Sequence, residues 1–244
     1  MSAEPSSSRF ELDLEAPASR GRPARSVRVG ARYDEPAGGP ERGGLLLAHG
    51  AGYHMESPFL ERVAAGLVAR GFGVLRFNYP YRERALAEGK RMKPVDPPAV
   101  LEAAHAAALA ALIERSGDAR PILAGKSLGA RVGTLLAAKD EPCRGLALLG
   151  YPLHPAKKPE KQRSEHFAAI AQPALFLQGT RDDLCDLDLL RAALERFGGA
   201  PTLAILDTAD HSFKTLKKSG LDEDDVHAWL LDRIDRWEQD AFPR

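Results

Sequence analysis

The clearest chemistry in this sequence lies in one pentapeptide, Gly125-Lys126-Ser127-Leu128-Gly129. A serine between two glycines at G-x-S-x-G spacing is the pattern of a sharp strand-to-helix turn that holds a nucleophilic hydroxyl clear of the backbone. The glycines remove Cβ atoms that would clash where the two limbs of the turn meet. The surroundings agree, with an apolar strand pattern over 121–124 and a helical pattern over 128–138. The amino end of that helix favours developing negative charge. Gly125-Lys126-Ser127 also ends like a phosphate-binding loop, but G-x-x-x-x-G-K-[ST] needs a glycine at position 120, and this chain has Arg120 followed by apolar strand.

A serine hydroxyl is a weak nucleophile and needs an adjacent base, itself oriented by a third group. The chain order that goes with this elbow is serine, acid, histidine. His211 follows the last strand pattern, in Ala209-Asp210-His211-Ser212-Phe213, and Asp182 follows an earlier one, in Gly179-Thr180-Arg181-Asp182-Asp183. His211 is expected to take the Ser127 proton, and a carboxylate to hold the imidazole tautomer. Asp182 is favoured because the turn reaches it first, but Asp183 stays open. The expected oxyanion donors are the backbone N–H of Leu128 and that of Ala51, with Gly52 as the alternative, in the small-residue turn His49-Gly50-Ala51-Gly52. His49 is read as orienting that turn.

Weaker candidates surround these. Tyr53, His54, Arg82 and His154 are expected to line a substrate pocket. Asp207 and Asp210 read as turn residues, His105 and His227 as packing or surface residues on helices, and Cys185 as packing. Arg76, Arg82, Arg84, Arg91 and Lys93 form a basic run that reads first as a solvated loop and second as a binder of an anionic substrate group. Histidines and carboxylates do not fall at zinc-ligand spacing, so no metal or other cofactor is expected.

The elements that must position these residues follow from periodicity. Phe10, Leu12 and Leu14 alternate with acidic residues, and Val27, Val29 and Ala31 repeat the pattern, which predicts an antiparallel start to the sheet. Short continuous apolar runs then appear at 45–48, 73–77, 121–124, 145–150, 173–178 and 201–206, separated by helical patterns at 58–70, 100–113, 128–138, 187–197 and 223–237. Such alternation predicts an α/β fold with a mostly parallel central sheet and helices on both faces. Loops are expected over 81–98 and 153–163, as rim or lid. Residues 1–9 read as a flexible tail and 10–244 as a single domain.

Composition bounds the rest. In 244 residues, 44% hydrophobic and 28% charged content supplies ample core, and zero formal net charge gives no electrostatic footprint for nucleic acid or an anionic membrane. The two cysteines do not make a disulfide framework. No basic start with an apolar run opens the chain, and no apolar stretch of about 18 residues occurs, so the expected location is the cytoplasm, without membrane or nucleic-acid partners. Oligomeric state is left open.

Taken together, Gly125–Gly129, His49–Gly52, Asp182 and His211 resemble the α/β-hydrolase superfamily, near its dienelactone-hydrolase-like branch. More narrowly, Phe77-Asn78-Tyr79-Pro80-Tyr81, Gly125 through Arg131, Tyr151-Pro152-Leu153-His154-Pro155 and Gln178-Gly179-Thr180-Arg181-Asp182 resemble a subgroup that includes bacterial proteins and relatives of a testis-expressed protein and of a regulatory subunit of a chromatin acetyltransferase complex. The superfamily resemblance covers roughly residues 40–240 and implies hydrolysis of esters, thioesters, amides or related bonds without a cofactor. The subgroup implies no particular substrate, and some of its members act as scaffold parts. Dienelactone hydrolases carry a cysteine nucleophile where this chain has Ser127, so a dienelactone substrate is not implied. The expected function is a serine hydrolase that cleaves a small acyl substrate through an acyl-enzyme. The alternative is a non-catalytic binding or scaffold protein of the same fold.

Overall fold

Period-2 alternation near the amino terminus becomes an antiparallel hairpin. Strand β1 (Ser6–Ala16) pairs with β2 (Arg25–Glu35) along its length, from Ser6↔Glu35 to Ala16↔Arg25. Leu12, Leu14 and Ala16 point into the core, while Arg28 on the solvent side reaches Glu11 and Asp13. The computed structural model describes residues 4–243 apart from Arg20, Arg22 and Met92. Residues 6–9, expected in a flexible tail, therefore belong to β1, because Ser6 and Ser7 have partners on β2. The tail expected over residues 1–3 lies outside the described residues.

The chain divides into two compact units, Met1–Leu123 and Ala124–Arg244. In the first, β2 runs antiparallel to β4 (Gly73–Phe77), and β4 runs parallel to β3 (Gly44–Ala48), giving the order β1-β2-β4-β3. Every residue of β3 and β4 is buried, which is why β3 reads as an unbroken apolar run and β4 as one interrupted only by Arg76, whose charge meets Asp34 at 2.7 Å. Helices α1 (Pro58–Val68), α2 (Pro80–Ala87) and α3 (Pro98–Ser116) each open with proline in the first turn, where its missing N–H has no partner to lose. Helix α2 corrects the loop expected over 81–98. Its residues, Tyr-Arg-Glu-Arg among them, carry no apolar stripe, and tertiary bonds hold it instead. Glu83 accepts from the Gly30 N–H at 2.9 Å and from Asn78 Nδ2 at 2.7 Å, and Arg84 donates to Asp96 at 2.6 Å.

The unit boundary falls inside β5 (Ile122–Lys126). The second unit continues with α4 (Leu128–Ala137), β6 (Gly145–Leu149), β7 (Ala174–Arg181), α5 (Leu187–Leu194), β8 (Pro201–Asp210) and α6 (Glu223–Ala241), in strand order β5-β6-β7-β8. β7 is parallel to both β6 and β8. Phe167, Phe176, Phe197 and Tyr151 interlock in tilted and edge-on pairs at centroid separations of 5.3–5.9 Å and fill its core. Helix α6 starts on a reciprocal capping box between Asp222 and Asp225. Strands β7 and β8 outrun the expected 173–178 and 201–206, because polar residues at their carboxyl ends pair with each other. After an irregularity between Gly179 and Arg181, Arg181 lies opposite Asp210. The next residue along each strand is therefore Asp182 and His211. Among the described residues, no helix is long and apolar enough to cross a membrane.

Candidate active site

The turn from β5 into α4 bends at Ser127, whose φ of 52° and ψ of −106° lie where a residue with a Cβ rarely sits. Holding a serine there costs about 1–3 kcal/mol, which the surrounding structure must supply. Gly125 makes the bend possible, since a Cβ there would come within 2.4 Å of the Gly129 carbonyl carbon and 2.6 Å of the Ala130 nitrogen. The Ser127 N–H donates to the Leu149 carbonyl at the end of β6 at 3.0 Å, and Ser127's own carbonyl accepts from Arg131 N–H at 3.0 Å as α4 begins.

Three expected residues meet here. His211 Nε2 lies 2.8 Å from Ser127 Oγ, and His211 Nδ1 lies 2.8 and 2.9 Å from the two carboxylate oxygens of Asp182. With Nδ1–H donating to the carboxylate, Nε2 carries the free lone pair that accepts the Ser127 hydroxyl proton. Asp182 is the partner rather than Asp183, and its environment explains the choice. The Asp182 side chain is 1% exposed, and it also accepts from Gln178 Nε2 at 2.9 Å and from the Leu184 N–H at 2.8 Å. Asp183 is exposed. Donors on three sides fix the position of the Asp182 carboxylate against the imidazole. The His211 side chain stays 24% exposed, open to an incoming group.

The turn carrying His211 is held from two sides. Asp210 Oδ1 accepts the Ser212 and Lys214 N–H groups at 2.8 and 2.9 Å, as expected of a turn aspartate. From β5, Lys126 Nζ donates to the His211 carbonyl at 2.6 Å and lies 5.3 Å from the centre of the Phe213 ring. Lys126 is fully buried, and burial lowers its pKa to about 8, against the opposing pull of Asp182 and Asp210. Gly150, at φ 66°, makes room for the ammonium, which a Cβ there would approach to 2.9 Å. The sequence singles out Lys126 only as a rival phosphate-loop residue, and Gln178 only as part of a motif. Their bonds to positions 211 and 182 could not be read from either segment alone.

The other expected residues divide between those that keep their expected roles and those whose side chains are spent elsewhere. His154 does not present a free ring: Nδ1 donates to the Pro155 carbonyl at 3.0 Å and Nε2 accepts the Asp186 N–H at 2.9 Å, while Asp186 itself caps α5. It is a strut between two loops, because both nitrogens are spent on backbone. Arg82 is buried with Nη1 on the Arg91 carbonyl, closing its own loop. His54 accepts the Glu56 N–H at 3.3 Å, and its N–H meets Ser57 Oγ at 2.8 Å. Tyr53 is half-buried, its ring 6.5 Å from that of Phe59. Ala51 sits in the turn after β3, its carbonyl accepting the Tyr81 hydroxyl at 3.0 Å, with Gly52 exposed beside it. His49 orients that turn, with Nδ1 on the Gly50 carbonyl at 2.8 Å and Nε2 accepting the Tyr79 N–H at 3.1 Å; burial lowers its pKa to about 4. Cys185 and His227 are buried packing residues, and burial raises the Cys185 thiol far out of the reactive range.

A family model described as an alpha/beta hydrolase domain matches residues 41–239. Among solved structures, the chain is similar to a dienelactone hydrolase from Anabaena variabilis, at 18% identity and TM-score 0.71, over 96% of this chain and 98% of that one. It is also similar to a putative alpha/beta hydrolase from Agrobacterium tumefaciens, at 20% identity and TM-score 0.69, over 96% of this chain and 100% of that one. A lidless alpha/beta serine hydrolase from Xanthomonas campestris matches at 22% identity and TM-score 0.65, over 94% of each chain. At these identities the likeness shows the fold, which is the α/β architecture with a mostly parallel sheet expected from the sequence.

Proposed function

This chain belongs to the alpha/beta hydrolase domain family, and on that premise we propose that it is a serine hydrolase that cleaves an ester, thioester or related acyl bond through an acyl-enzyme. The observation that carries the reading is the continuous hydrogen-bonded series from Asp182 through His211 to Ser127. Ser127 Oγ attacks the acyl carbon while His211 Nε2 takes its proton, and Asp182 stabilises the imidazolium so formed. The Leu128 N–H, first in α4 and without an intrahelical acceptor, receives the oxyanion. The Ala51 N–H is our proposed second donor, on sequence grounds. His211 then protonates the leaving group, and a water activated by the same imidazole releases the acid and restores Ser127.

The same proposal takes the chain from β1 onward as one domain, a reading that the family match over 41–239 supports. It keeps the narrower likeness to the testis-expressed and acetyltransferase-complex relatives on the motifs that suggested it, and it keeps the cytoplasm as the location. The test is labelling by a fluorophosphonate probe. Wild type is expected to label and S127A not to label. Absence of label on folded wild type, or equal label on both, overturns the serine mechanism and leaves the scaffold reading. A panel of para-nitrophenyl esters of increasing acyl length then reads the substrate size.

A further inference from the structure

Each unit ends in a strand with a strand neighbour on one side only, β1 beside β2 in the first and β8 beside β7 in the second. A free strand edge invites pairing with another chain, and native edges are guarded by charges, prolines or bulges. On β1, Arg9, Glu11, Asp13 and Glu15 charge every second position. The first half of β8 lacks such guards. Pro201 stands at its head and charge returns at Asp207, but Thr202-Leu203-Ala204-Ile205-Leu206 between them carries none. The irregular pairing with β7 also comes only after Leu206.

Pairing with β7 uses half of this backbone. Ala174 lies opposite Pro201, and its N–H donates to the Ala200 carbonyl at 3.0 Å. In a parallel ladder, alternate residues of a strand turn both backbone groups to the same side. Ala200, Thr202, Ala204 and Leu206 therefore serve β7, and Leu203 and Ile205 turn their N–H and C=O groups outward. Among the described residues, no turn or loop takes up the backbone of either one. Leu203, Ala204 and Ile205 are half-buried. Beside them lies an open groove, lined by residues 202–205 and by Trp229, Arg233, Arg236 and Asp240 of α6.

We infer that this edge is a homodimer interface, in which two copies of the chain pair their β8 strands antiparallel about a two-fold at Ala204. The outward groups fix that register. It sets Leu203 of each copy opposite Ile205 of the other, so both residues exchange N–H···O bonds and form apolar cross-strand pairs. Ala204 then meets its own copy at a non-hydrogen-bonded position, where Cα atoms lie about 4.5 Å apart and a small side chain fits. A two-fold at Leu203 would instead oppose Ile205 to Pro201, which has no N–H, and one at Ile205 would oppose Leu203 to Asp207. The same two-fold runs the α6 helices in opposite directions on one face. The half carrying Arg233 and Arg236 then points toward the acidic first turn of the other helix, Glu223, Asp224 and Asp225. At about 3.3 Å per strand residue and 1.5 Å per helix residue, 202–206 and 229–240 both run about 17 Å. A strip of that length over strand, groove and helix buries on the order of 1,000 Å² across two copies, at the lower end of specific interfaces, which fits a dimer of micromolar strength.

Sedimentation over a concentration series tests the interface. Wild type is expected to pass from monomer to dimer mass between about 1 and 200 μM. I205P removes an outward N–H and leaves the bonds to β7, so its thermal unfolding midpoint should stay close to wild type while the dissociation constant rises at least about tenfold. A204K should weaken the dimer likewise, by facing two ammonium groups across the two-fold. Cross-linking gives a reading that does not rest on those variants. Paired non-hydrogen-bonded positions suit a disulfide, and Cys143 and Cys185 are buried. Mild oxidation should therefore link A204C into dimers and leave L203C unlinked, since the two copies of position 203 are offset along the strands. Wild type that stays monomeric throughout, a dimer that I205P and A204K leave unaltered, or cross-linking of L203C rather than A204C overturns the inference. Ser127 has no part in it, so S127A should dimerise as wild type does, and the hydrolase reading stands or falls separately.

Discussion

In the first unit, His49 spends both ring nitrogens on the backbone of Gly50 and Tyr79, and His105 is sealed in with Nδ1 3.0 Å from the Tyr79 hydroxyl. Burial lowers their pKa values to about 4 and about 3. In the second unit, His211 also has both nitrogens engaged, but with a buried carboxylate on one side and a serine hydroxyl on the other, and with its side chain partly open to solvent. The contrast lies in what each ring can become. Without an anion nearby, a buried imidazole is locked in its neutral form and can only shape the fold. In the mechanism proposed above, the carboxylate on Nδ1 supports the imidazolium formed when His211 takes the serine proton, and the partial exposure leaves the ring accessible to a reactant.

The most severe way to break this comparison is to remove the group on which the second unit's histidine acts. S127A should lower kcat/KM for a responsive ester by roughly ten-thousand-fold or more, with the thermal unfolding midpoint little changed, since alanine keeps the Cβ and with it the backbone strain at position 127. Activity retained in S127A would mean that the series from Asp182 to Ser127 is not the machinery.

Removing the distinguishing anion comes next. D182N should reduce kcat by roughly a thousand- to ten-thousand-fold, because an amide no longer enforces the Nδ1–H tautomer. A drop of less than tenfold would make His211 no different in kind from His49.

The first unit's histidines predict a stability effect with a definite sign. Their folded pKa values lie below the unfolded value of about 6.5, so the unfolded chain takes up protons first as pH falls. Stability is full above that value and is lost progressively toward pH 4. Between about pH 7 and pH 5 each buried histidine should cost about 2 kcal/mol, read from urea unfolding at the two values. H105L should shrink that pH difference by about one histidine's share. A pH difference unaltered in H105L would show that this ring is not held neutral.

The smallest expected effect concerns the support behind His211. K126M removes the donor to the His211 carbonyl, and a hydrogen bond to a charged group is worth about 1.5–3 kcal/mol, so kcat should fall roughly tenfold with KM little altered. K126R, which keeps a donor, should recover part of the loss. A change confined to stability would make Lys126 a core residue only.

Legibility from sequence followed the range of the interactions involved. The elbow was legible because its requirement is local: Gly125 and Gly129 flank Ser127, and apolar strand and helix patterns adjoin it. The mostly parallel sheet was legible because burial on both faces demands apolar runs such as Leu45-Leu46-Leu47-Ala48. Helix α2 was not, since Glu83 and Arg84 hold it through Gly30, Asn78 and Asp96, and nothing in its own apolar pattern marks a helix. The carboxyl ends of β7 and β8 were missed for a related reason, as polar strand ends pair only with each other. His154 looked like a pocket residue by position after a strand, yet its ring is consumed by Pro155 and Asp186.

By itself, then, the order of residues determined the fold class, the nucleophile candidate at Ser127, and the roles open to His211 and to an aspartate at 182 or 183, because apolar periodicity and turn stereochemistry act over a few neighbouring residues. Tertiary structure alone decided that Asp182 rather than Asp183 meets His211, and that Lys126 braces the histidine's turn across 85 positions of sequence. Those outcomes depend on strand register and on which groups water can reach, and both are properties of the assembled chain.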